Sequence, residues 1–236
     1  MQRQFDEQIN KLKNRLLKMS SLTEEQLQLS FKAIKEENLT IPDIVFENEI
    51  KLDKYDFKIE KSCLKLFALN QPVALDLRLI MAAMNLSTDL ERIGDLAVNI
   101  CQNFLKVKKK PEFYEKTKFE EMANIAISML NDSIDSFIEN DVAKAESVIK
   151  RDQELDALNN DNDEILIKIM QEDPKFIQEA VTFLEICHQI ERCGDHATNV
   201  AEDVYFISEA QIVKHNYEKY IYKEYDKEIN ENDDEI

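Results

Sequence analysis

The sequence predicts an all-α fold of two tandem antiparallel three-helix bundles that arose by internal duplication. Three observations lead to this prediction. The 236 residues include only 2 Gly and 4 Pro, too few for the frequent turns of an all-β protein. Apolar residues make up 44% of the chain, which is enough for a packed core. A nine-residue motif occurs twice, at 91–99 and at 191–199.

Prolines and capping residues delimit the helices. Asp173-Pro174 is typical of an N-cap followed by the first helical residue, and Gln71-Pro72 is a weaker form of the same start. Asn140-Asp141 is a further candidate cap. These signals predict six helices, at 2–36, 42–69, 72–108, 112–139, 141–171 and 174–220. The predicted units are a first bundle over 1–111, a second bundle over 112–223 and an acidic tail over 224–236.

The duplicated motif reads Glu-Arg-x-Gly-Asp-x-Ala-x-Asn, with six of nine positions identical. It contains the two glycines of the chain, Gly94 and Gly194, in the same register. Because Gly costs about 1 kcal/mol inside a helix relative to Ala, both positions suggest close approach of another helix. Around each motif, apolar residues recur at steps of four and three, as in helices packed at a shallow angle. These two seams are Leu86, Leu90, Ile93, Ala97, Ile100 and Phe104, then Ile186, Ile190, Cys193, Ala197, Val200 and Val204.

Acidic residues form a narrow stripe in each copy of the motif. Glu91, Asp95 and Asn99 are spaced by four residues, so they share one helix face that points roughly opposite the apolar seam. Glu191, Asp195 and Asn199 repeat the pattern. Two further acidic pairs with the same spacing occur on other predicted helices, Glu49 with Asp53 and Asp152 with Asp156.

Two interpretations of these acids stay open. In a chain with 33% charged residues, an acidic stripe is usually a solvated helix face. However, like charges four residues apart destabilise a helix by a few tenths of a kcal/mol, and a bound cation would offset this cost. Carboxylate and amide oxygens favour hard ions such as Mg²⁺, Mn²⁺, Ca²⁺ or ferric iron, and two acidic pairs could bridge more than one ion.

The arginines and histidines near the acids could likewise have either a structural role or a role in metal binding. Arg92 and Arg192 could each pair with the Asp three residues later or orient a metal-binding carboxylate. A ferritin-type di-iron oxidase needs two Glu-x-x-His motifs, and only Glu185 with His188 has this spacing. His196 lies about 100° from the acidic stripe and is a weak candidate ligand. The four cysteines lack C-x-x-C spacing and are expected to be core residues.

Charge and hydropathy exclude several classes of function. The net charge of −18 opposes binding to nucleic acids and to anionic membrane surfaces. No apolar run approaches the roughly 20 residues that cross a bilayer, so direct membrane insertion is not expected. The segment 1–18 is charged and amphipathic and lacks the apolar region of a signal peptide.

The duplicated motifs resemble those of the PhoU family of phosphate-uptake regulators, and the resemblance covers nearly the whole chain. It rests on 71–74, 76–78 and 89–100 in the first half and on 190–195 and 197–202 in the second. The resemblance implies a surface metal cluster in each half, multinuclear and made of iron or of Mg, Mn or Zn. The implied ligands are Glu49, Asp53, Glu91 and Asp95, then Asp152, Asp156, Glu191 and Asp195. Asn99, Asn199, Arg92 and Arg192 are possible additional ligands or neighbours of the ligands.

The family resemblance also implies a role. It indicates a cytoplasmic regulator and not an enzyme, an adaptor between the ATPase subunit of a phosphate ABC transporter and a sensor histidine kinase. Such a protein damps phosphate import, keeps the phosphate-starvation response off when phosphate is plentiful, and commonly forms a homodimer. Two alternatives are a carboxylate-metal enzyme, such as a phosphatase or oxidase using the same acids, and a structural bundle whose acids only keep it soluble.

Overall fold

The computed structural model describes residues 2–209 of the chain. This range contains six long α-helices and two short 3₁₀ helices, Tyr114–Lys116 and Pro174–Phe176, and no β-strand. The long helices are α1 (Gln2–Lys35), α2 (Ile41–Asn70), α3 (Ala74–Val107), α4 (Phe119–Glu139), α5 (Val142–Glu172) and α6 (Ile177–Glu209). None of these helices is both long enough and apolar enough to cross a lipid bilayer.

The helices form two bundles, and the predicted fold class is confirmed. Helices α1, α2 and α3 pack against one another, and α4, α5 and α6 do the same. The bundles join mainly through α3 and α6, which run antiparallel. Arg78, near the start of α3, donates to the carbonyl of Ile207 near the end of α6 at 3.1 Å. At the opposite end of this interface, Lys106 lies 3.6 Å from the carboxylate of Glu185.

The buried residues follow the predicted periodicity. Every residue of the two predicted apolar seams is at most 1% exposed. All four cysteines are buried and none forms a disulfide, as expected for core residues. Burial of apolar surface on one face of each helix therefore holds each bundle together.

The predicted start of the third helix at residue 72 is wrong. Helix α2 ends at Asn70, Gln71 is left-handed with φ of 46°, and Val73 is extended with φ of −127°. The residue before a proline is hindered from adopting helical geometry, so Gln71 and Pro72 form the turn and not the first helical residues. The corresponding Asp173-Pro174 does begin a 3₁₀ helix, and the side chain of Asp173 accepts from the backbone N–H of Lys175.

The predicted start of the fourth helix at residue 112 is also wrong, because tertiary packing holds this segment in another form. Helix α4 starts at Phe119, and the preceding residues Phe113 and Tyr114 are buried. Their rings lie 6.0 and 5.8 Å from that of Phe183 on α6. This aromatic contact ties the connection between the bundles to the second bundle. The predicted segments 210–220 and 224–236 lie outside the described residues.

Glycine serves packing in this chain and not backbone flexibility. Four non-glycine residues adopt left-handed backbone conformations, Glu37, Gln71, Lys108 and Asn140, at positions where glycine is usually favoured. Neither glycine has a positive φ, and both lie inside helices. The constraint at each glycine is therefore the space beside its α-carbon.

The neighbouring helix fills that space in both bundles. A Cβ atom at Gly94 would overlap the Cδ2 atom of Leu52 on α2. A Cβ atom at Gly194 would lie 2.5 Å from the Cδ2 atom of Leu155 on α5. The predicted close approach of another helix is confirmed in both copies of the motif.

Replacing either glycine with alanine should destabilise the protein. Overpacking against a buried leucine costs about 1–3 kcal/mol, and the better helix propensity of Ala returns at most about 1 kcal/mol. Urea unfolding of Gly94→Ala and Gly194→Ala would measure the change. Thr88→Ala, at an exposed position of α3, is the control and should stay within about 0.5 kcal/mol of wild type. Higher stability in both glycine variants would contradict the packing constraint.

Candidate functional site

The first acidic cluster lies where α2 approaches α3 most closely. On α3, Gly94 lies between Glu91 and Asp95 in the sequence. A Cβ atom at Gly94 would be 2.9 Å from the Oε2 atom of Glu49 on α2. Asp53 follows Glu49 by about one helical turn. We define these four acids, Glu49, Asp53, Glu91 and Asp95, as cluster 1.

The second acidic cluster repeats this arrangement between α5 and α6. Gly194 lies between Glu191 and Asp195, and a Cβ atom at Gly194 would be 3.6 Å from the Oδ1 atom of Asp152. Asp156 follows Asp152 by about one turn of α5. We define Asp152, Asp156, Glu191 and Asp195 as cluster 2. In both bundles the acid and the leucine that face the glycine are three residues apart. The packing therefore agrees with the predicted correspondence between the acidic pair 49/53 of the first repeat and the pair 152/156 of the second.

The charges of cluster 1 act on the protonation of its two glutamates. Burial raises the pKa of Glu49 to about 7, and the negative charges of Asp95, Asp53 and Glu91 contribute in the same direction. A hydrogen bond from Gln26 opposes this shift. The pKa of Glu91 is raised as well, by burial and then by the charge of Asp95. All four predicted acids of the first half therefore meet in one electrostatic unit.

In cluster 2 the neighbouring charges act in the same way on Asp152 and Glu191. Burial raises the pKa of Asp152 to about 6, with the charges of Asp156 and Asp195 acting in the same direction. Burial also raises the pKa of Glu191 to about 7, with contributions from Asp195, Asp156 and Asp152. Each half of the chain thus holds a concentration of negative charge that is partly shielded from water.

The two clusters differ in the residue that the first helix of each bundle contributes. In the first bundle, the Gln26 amide of α1 donates to the Oε2 atom of Glu49 and, at 3.2 Å, to the carbonyl of Gly94. In the second bundle, the Cε atom of Met129 on α4 would be 3.5 Å from a Cβ atom at Gly194. A polar contact in the first half is therefore replaced by an apolar one, and the clusters are not chemically equivalent.

Arg92 forms the ion pair that its spacing predicts. Its guanidinium lies 3.2 Å from the carboxylate of Asp95 and 3.4 Å from that of Glu91. The arginine is largely exposed, so the pair adds little to stability, but it partly neutralises two acids of cluster 1. Arg192, at the same position of the second motif, is exposed as well.

The two asparagines of the motifs have different surroundings. Asn99 is exposed, whereas Asn199 donates its amide to the Oδ1 atom of Asp89 on α3 at 3.2 Å. The same oxygen of Asp89 lies 2.8 Å from the Nδ1 atom of His196. Asn199 and His196 therefore hold α6 against α3, and this contact joins the two bundles.

The single Glu-x-x-His pair does not form a site. The Nε2 atom of His188 lies 3.1 Å from the carboxylate of Asp163 on α5. Its partner in the motif, Glu185, pairs with Lys106 on α3. His215 lies outside the described residues.

Two acids near the clusters were not predicted. The charge of Asp56 raises the pKa of Glu91, and that of Glu202 raises the pKa of Asp152. Both residues had a signal in the sequence. Asp56 comes three residues after Asp53, and Glu202 continues the acidic stripe of the second motif by another helical turn.

The donor types in both clusters fit a hard cation, but their arrangement does not form a coordination shell. Carboxylate oxygens are the ligands that Mg²⁺, Mn²⁺ and Ca²⁺ favour. The Oε1 atom of Glu49 is buried without a hydrogen-bond partner, so it is available to an ion. However, across residues 2–209 no three His, Cys, Asp or Glu side chains are positioned to hold one ion together. Metal binding would therefore require these carboxylates to close in on the ion.

Without added metal, the protein should become more stable as the pH falls from 8 to 6. Because the folded pKa values of Glu49 and Glu191 are about 7, against 4.5 for an ordinary glutamate, the folded state binds protons more tightly than the unfolded state. This stabilisation is complete below the unfolded pKa and is lost as the pH rises through 7. Thermal unfolding of the chelator-treated protein across this range would measure it.

The variant Glu49→Gln/Glu191→Gln should have a flatter profile, because neither side chain can ionise. Glu154→Gln removes an exposed acid of α5 and should leave the profile unchanged. A wild-type profile that rises with pH over the same interval would contradict the raised pKa values.

Together, the duplicated six-helix fold and the paired clusters define a helical-bundle protein with one carboxylate-rich site in each repeat. The chain belongs to the PhoU family. The family model for the PhoU domain matches it twice, at residues 16–104 and 119–204, once in each bundle. The resemblance that the motifs indicated is therefore confirmed.

Similar proteins and structures support this assignment. A relative from Clostridium acetobutylicum is 32% identical over 88% of this chain and 96% of its own length. Another, from Aquifex aeolicus, is 33% identical over 90% of this chain and 96% of its own length. Both are named "Phosphate-specific transport system accessory protein PhoU homolog". Since these names describe accessory proteins, the expectation that this chain is not an enzyme is confirmed.

Solved structures share the fold. The crystal structure of PhoU from Pseudomonas aeruginosa matches with a TM-score of 0.84 and 27% identity, over 88% of this chain and all of that one. The phosphate transport system regulatory protein PhoU from Streptococcus pneumoniae matches with a TM-score of 0.81, over 89% of this chain and 99% of that one. At 23% identity, this second match concerns the fold alone.

Proposed function

We propose that this protein regulates phosphate uptake as a non-enzymatic adaptor. The observation that carries the proposal is the match of both bundles to the PhoU domain, together with relatives that are named as accessory proteins of phosphate-specific transport. In this proposal the protein works in the cytoplasm, where it contacts the ATPase subunit of a phosphate ABC transporter and a sensor histidine kinase. Through these contacts it lowers phosphate import and keeps the phosphate regulon off when phosphate is plentiful.

An exposed apolar surface at the turn between α2 and α3 supports a role in protein binding. Val73 is 73% exposed, and several apolar neighbours along the turn and the start of α3 are exposed as well. These neighbours are Leu69, Leu75, Leu77 and Met81. Contiguous exposed apolar residues are typical of surfaces that bind other proteins.

This surface should bind the purified ATPase subunit of the transporter. Val73→Ser/Leu75→Ser removes apolar contact area and should weaken binding by about tenfold or more, measured by biolayer interferometry. The control Leu39→Ser/Ile44→Ser changes two other exposed apolar residues, in the turn before α2 and in its first turn, and should bind as wild type does. Equal affinity of both variants would exclude the α2–α3 turn, and no binding by wild type would contradict the adaptor role.

We further propose that the protein forms a homodimer. Helix α2 exposes three apolar side chains at seven-residue spacing, Ile50, Phe57 and Leu64, and Phe57 is 63% exposed. A stripe with this period is typical of a helix that pairs with another helix. Sedimentation of wild type and of Phe57→Ser would test it, because only the wild type should sediment as a dimer.

The proposal includes metal binding at both clusters. The four acids of each cluster would provide oxygen ligands. They are Glu49, Asp53, Glu91 and Asp95 in the first bundle, and Asp152, Asp156, Glu191 and Asp195 in the second. Burial and mutual repulsion raise the pKa of four of these acids, and a cation would relieve this repulsion. Bound iron, Mg, Mn or Zn would supply positive charge that holds the facing helices together at each glycine.

Metal binding is tested by equilibrium dialysis against Mn²⁺ after chelator treatment. The variant Glu49→Gln/Asp95→Asn should lose the ions of the first half and retain those of the second, and Asp152→Asn/Asp195→Asn should show the reverse. The control Asp43→Asn/Asp76→Asn removes exposed acids of α2 and α3 and should retain all of them. If the wild-type protein binds no metal, or if all variants bind it equally, the proposal is contradicted and the acids of the clusters are only solvated side chains.

A further inference from the structure

A basic groove lies between α1 and α2, away from both glycines. It has a volume of about 560 Å³, and five cationic side chains line it. Lys11 and Arg15 come from α1, and Lys58, Lys61 and Lys65 come from α2. We call these five residues and the space between them the basic groove.

The concentration of positive charge is unusual in this chain. The whole protein has 48 acidic and 30 basic residues, yet Glu7 is the one acid among the described residues that line the groove. Outside the groove, several lysines and arginines form ion pairs with carboxylates, as Lys35 does with Glu120. Across residues 2–209, no carboxylate forms an ion pair with any of the five cations of the groove.

The spacing of the cations adds mutual repulsion. Lys11 and Arg15 are four residues apart on α1, and Lys61 and Lys65 are four residues apart on α2. Like charges at this spacing destabilise a helix. A bound anion would remove this cost at both helices together, since it would lie between the two rows.

Arg15 is already held in position for such a contact. Its guanidinium donates to the hydroxyl of Ser62 and, at 3.1 Å, to the backbone carbonyl of Lys58. These bonds fix the planar group on the wall of the groove, so less side-chain entropy is lost when an anion binds.

The shape and chemistry of the groove limit the ligand. The lining residues of α1 run from Gln4 to Arg15, which at 1.5 Å per residue corresponds to about 16 Å. Leu66 is the one aliphatic residue of the lining, and it is 1% exposed, so no exposed aliphatic side chain is available there to anchor a partner helix. A narrow row of cations instead matches a small anion with several negative groups in line.

We propose that the basic groove binds an oligophosphate, a small anion that carries several phosphoryl groups in a row. Lysines contact the terminal oxygens as point charges, while the guanidinium of Arg15 binds one phosphoryl group through two N–H donors. The site is separate from the carboxylate clusters and needs no metal ion.

Isothermal titration calorimetry of the full chain tests the proposal, at an ionic strength of about 0.15 M after chelator treatment. Tripolyphosphate is the probe, with orthophosphate and a hexaglutamate peptide as alternatives. Lys61→Gln/Lys65→Gln removes two cations of the groove. Lys54→Gln/Lys109→Gln removes two exposed lysines that do not line it and is the matched control.

Tripolyphosphate should bind wild type and the control with affinities within about twofold, because distant charges are screened. The groove variant should bind it at least about tenfold more weakly, since two charge-assisted contacts are lost. No binding by wild type, or equal weakening in both variants, would overturn the proposal. Tighter binding of orthophosphate or hexaglutamate than of tripolyphosphate would also overturn it, because the ligand would then be a single anion or an acidic protein segment.

Discussion

The contact that the rest of the structure depends on is the close approach of two helices at a glycine, once in each bundle. Leu52 lies against Gly94 and Leu155 against Gly194, so α2 and α5 come closer to their neighbours than any larger residue would allow. Glu49 and Asp152 each lie one turn before these leucines. The apolar contact therefore positions the first acid of each cluster, and the negative charge gathers where the helices are closest.

In this arrangement apolar packing stabilises each bundle, and repulsion between the acids destabilises it. Burial of the leucines and of the apolar seams stabilises the bundles, whereas the partly buried acids repel each other and hold their protons to higher pH. A protein that needed only a stable bundle would gain from neutral residues at these positions. The repetition of the same conflict in both halves is why we propose a bound cation at each.

Much of the fold could be predicted because it follows from local and periodic signals. The seams, the duplicated motif and the role of Gly94 and Gly194 all depend on residue spacing along one helix. The start of α4 could not be predicted, because Phe113 and Tyr114 are held by rings of other helices that lie far away in the sequence. The predicted acids of each half are near enough for their charges to raise the pKa of Glu49 and Glu191, but residue spacing does not show which helix face opposes them.

For this reason, the difference between the two clusters became visible only in three dimensions. Gln26 bonds to Glu49 in the first bundle, and Met129 takes the corresponding place in the second. Similarly, Asp89 has a partner in His196 that joins the bundles, and this pairing breaks the symmetry of the repeats. Duplication thus explains the shared architecture, while residues outside the motif make each half distinct.

The most direct test of the central claim is anomalous diffraction from crystals of the chelator-treated protein after soaking in Mn²⁺. The close approach at the glycines predicts one anomalous peak or group of peaks beside Gly94, between Glu49 and Asp95, and another beside Gly194, between Asp152 and Asp195. Ordered helices with no anomalous density at either position would contradict the claim that these contacts build metal sites.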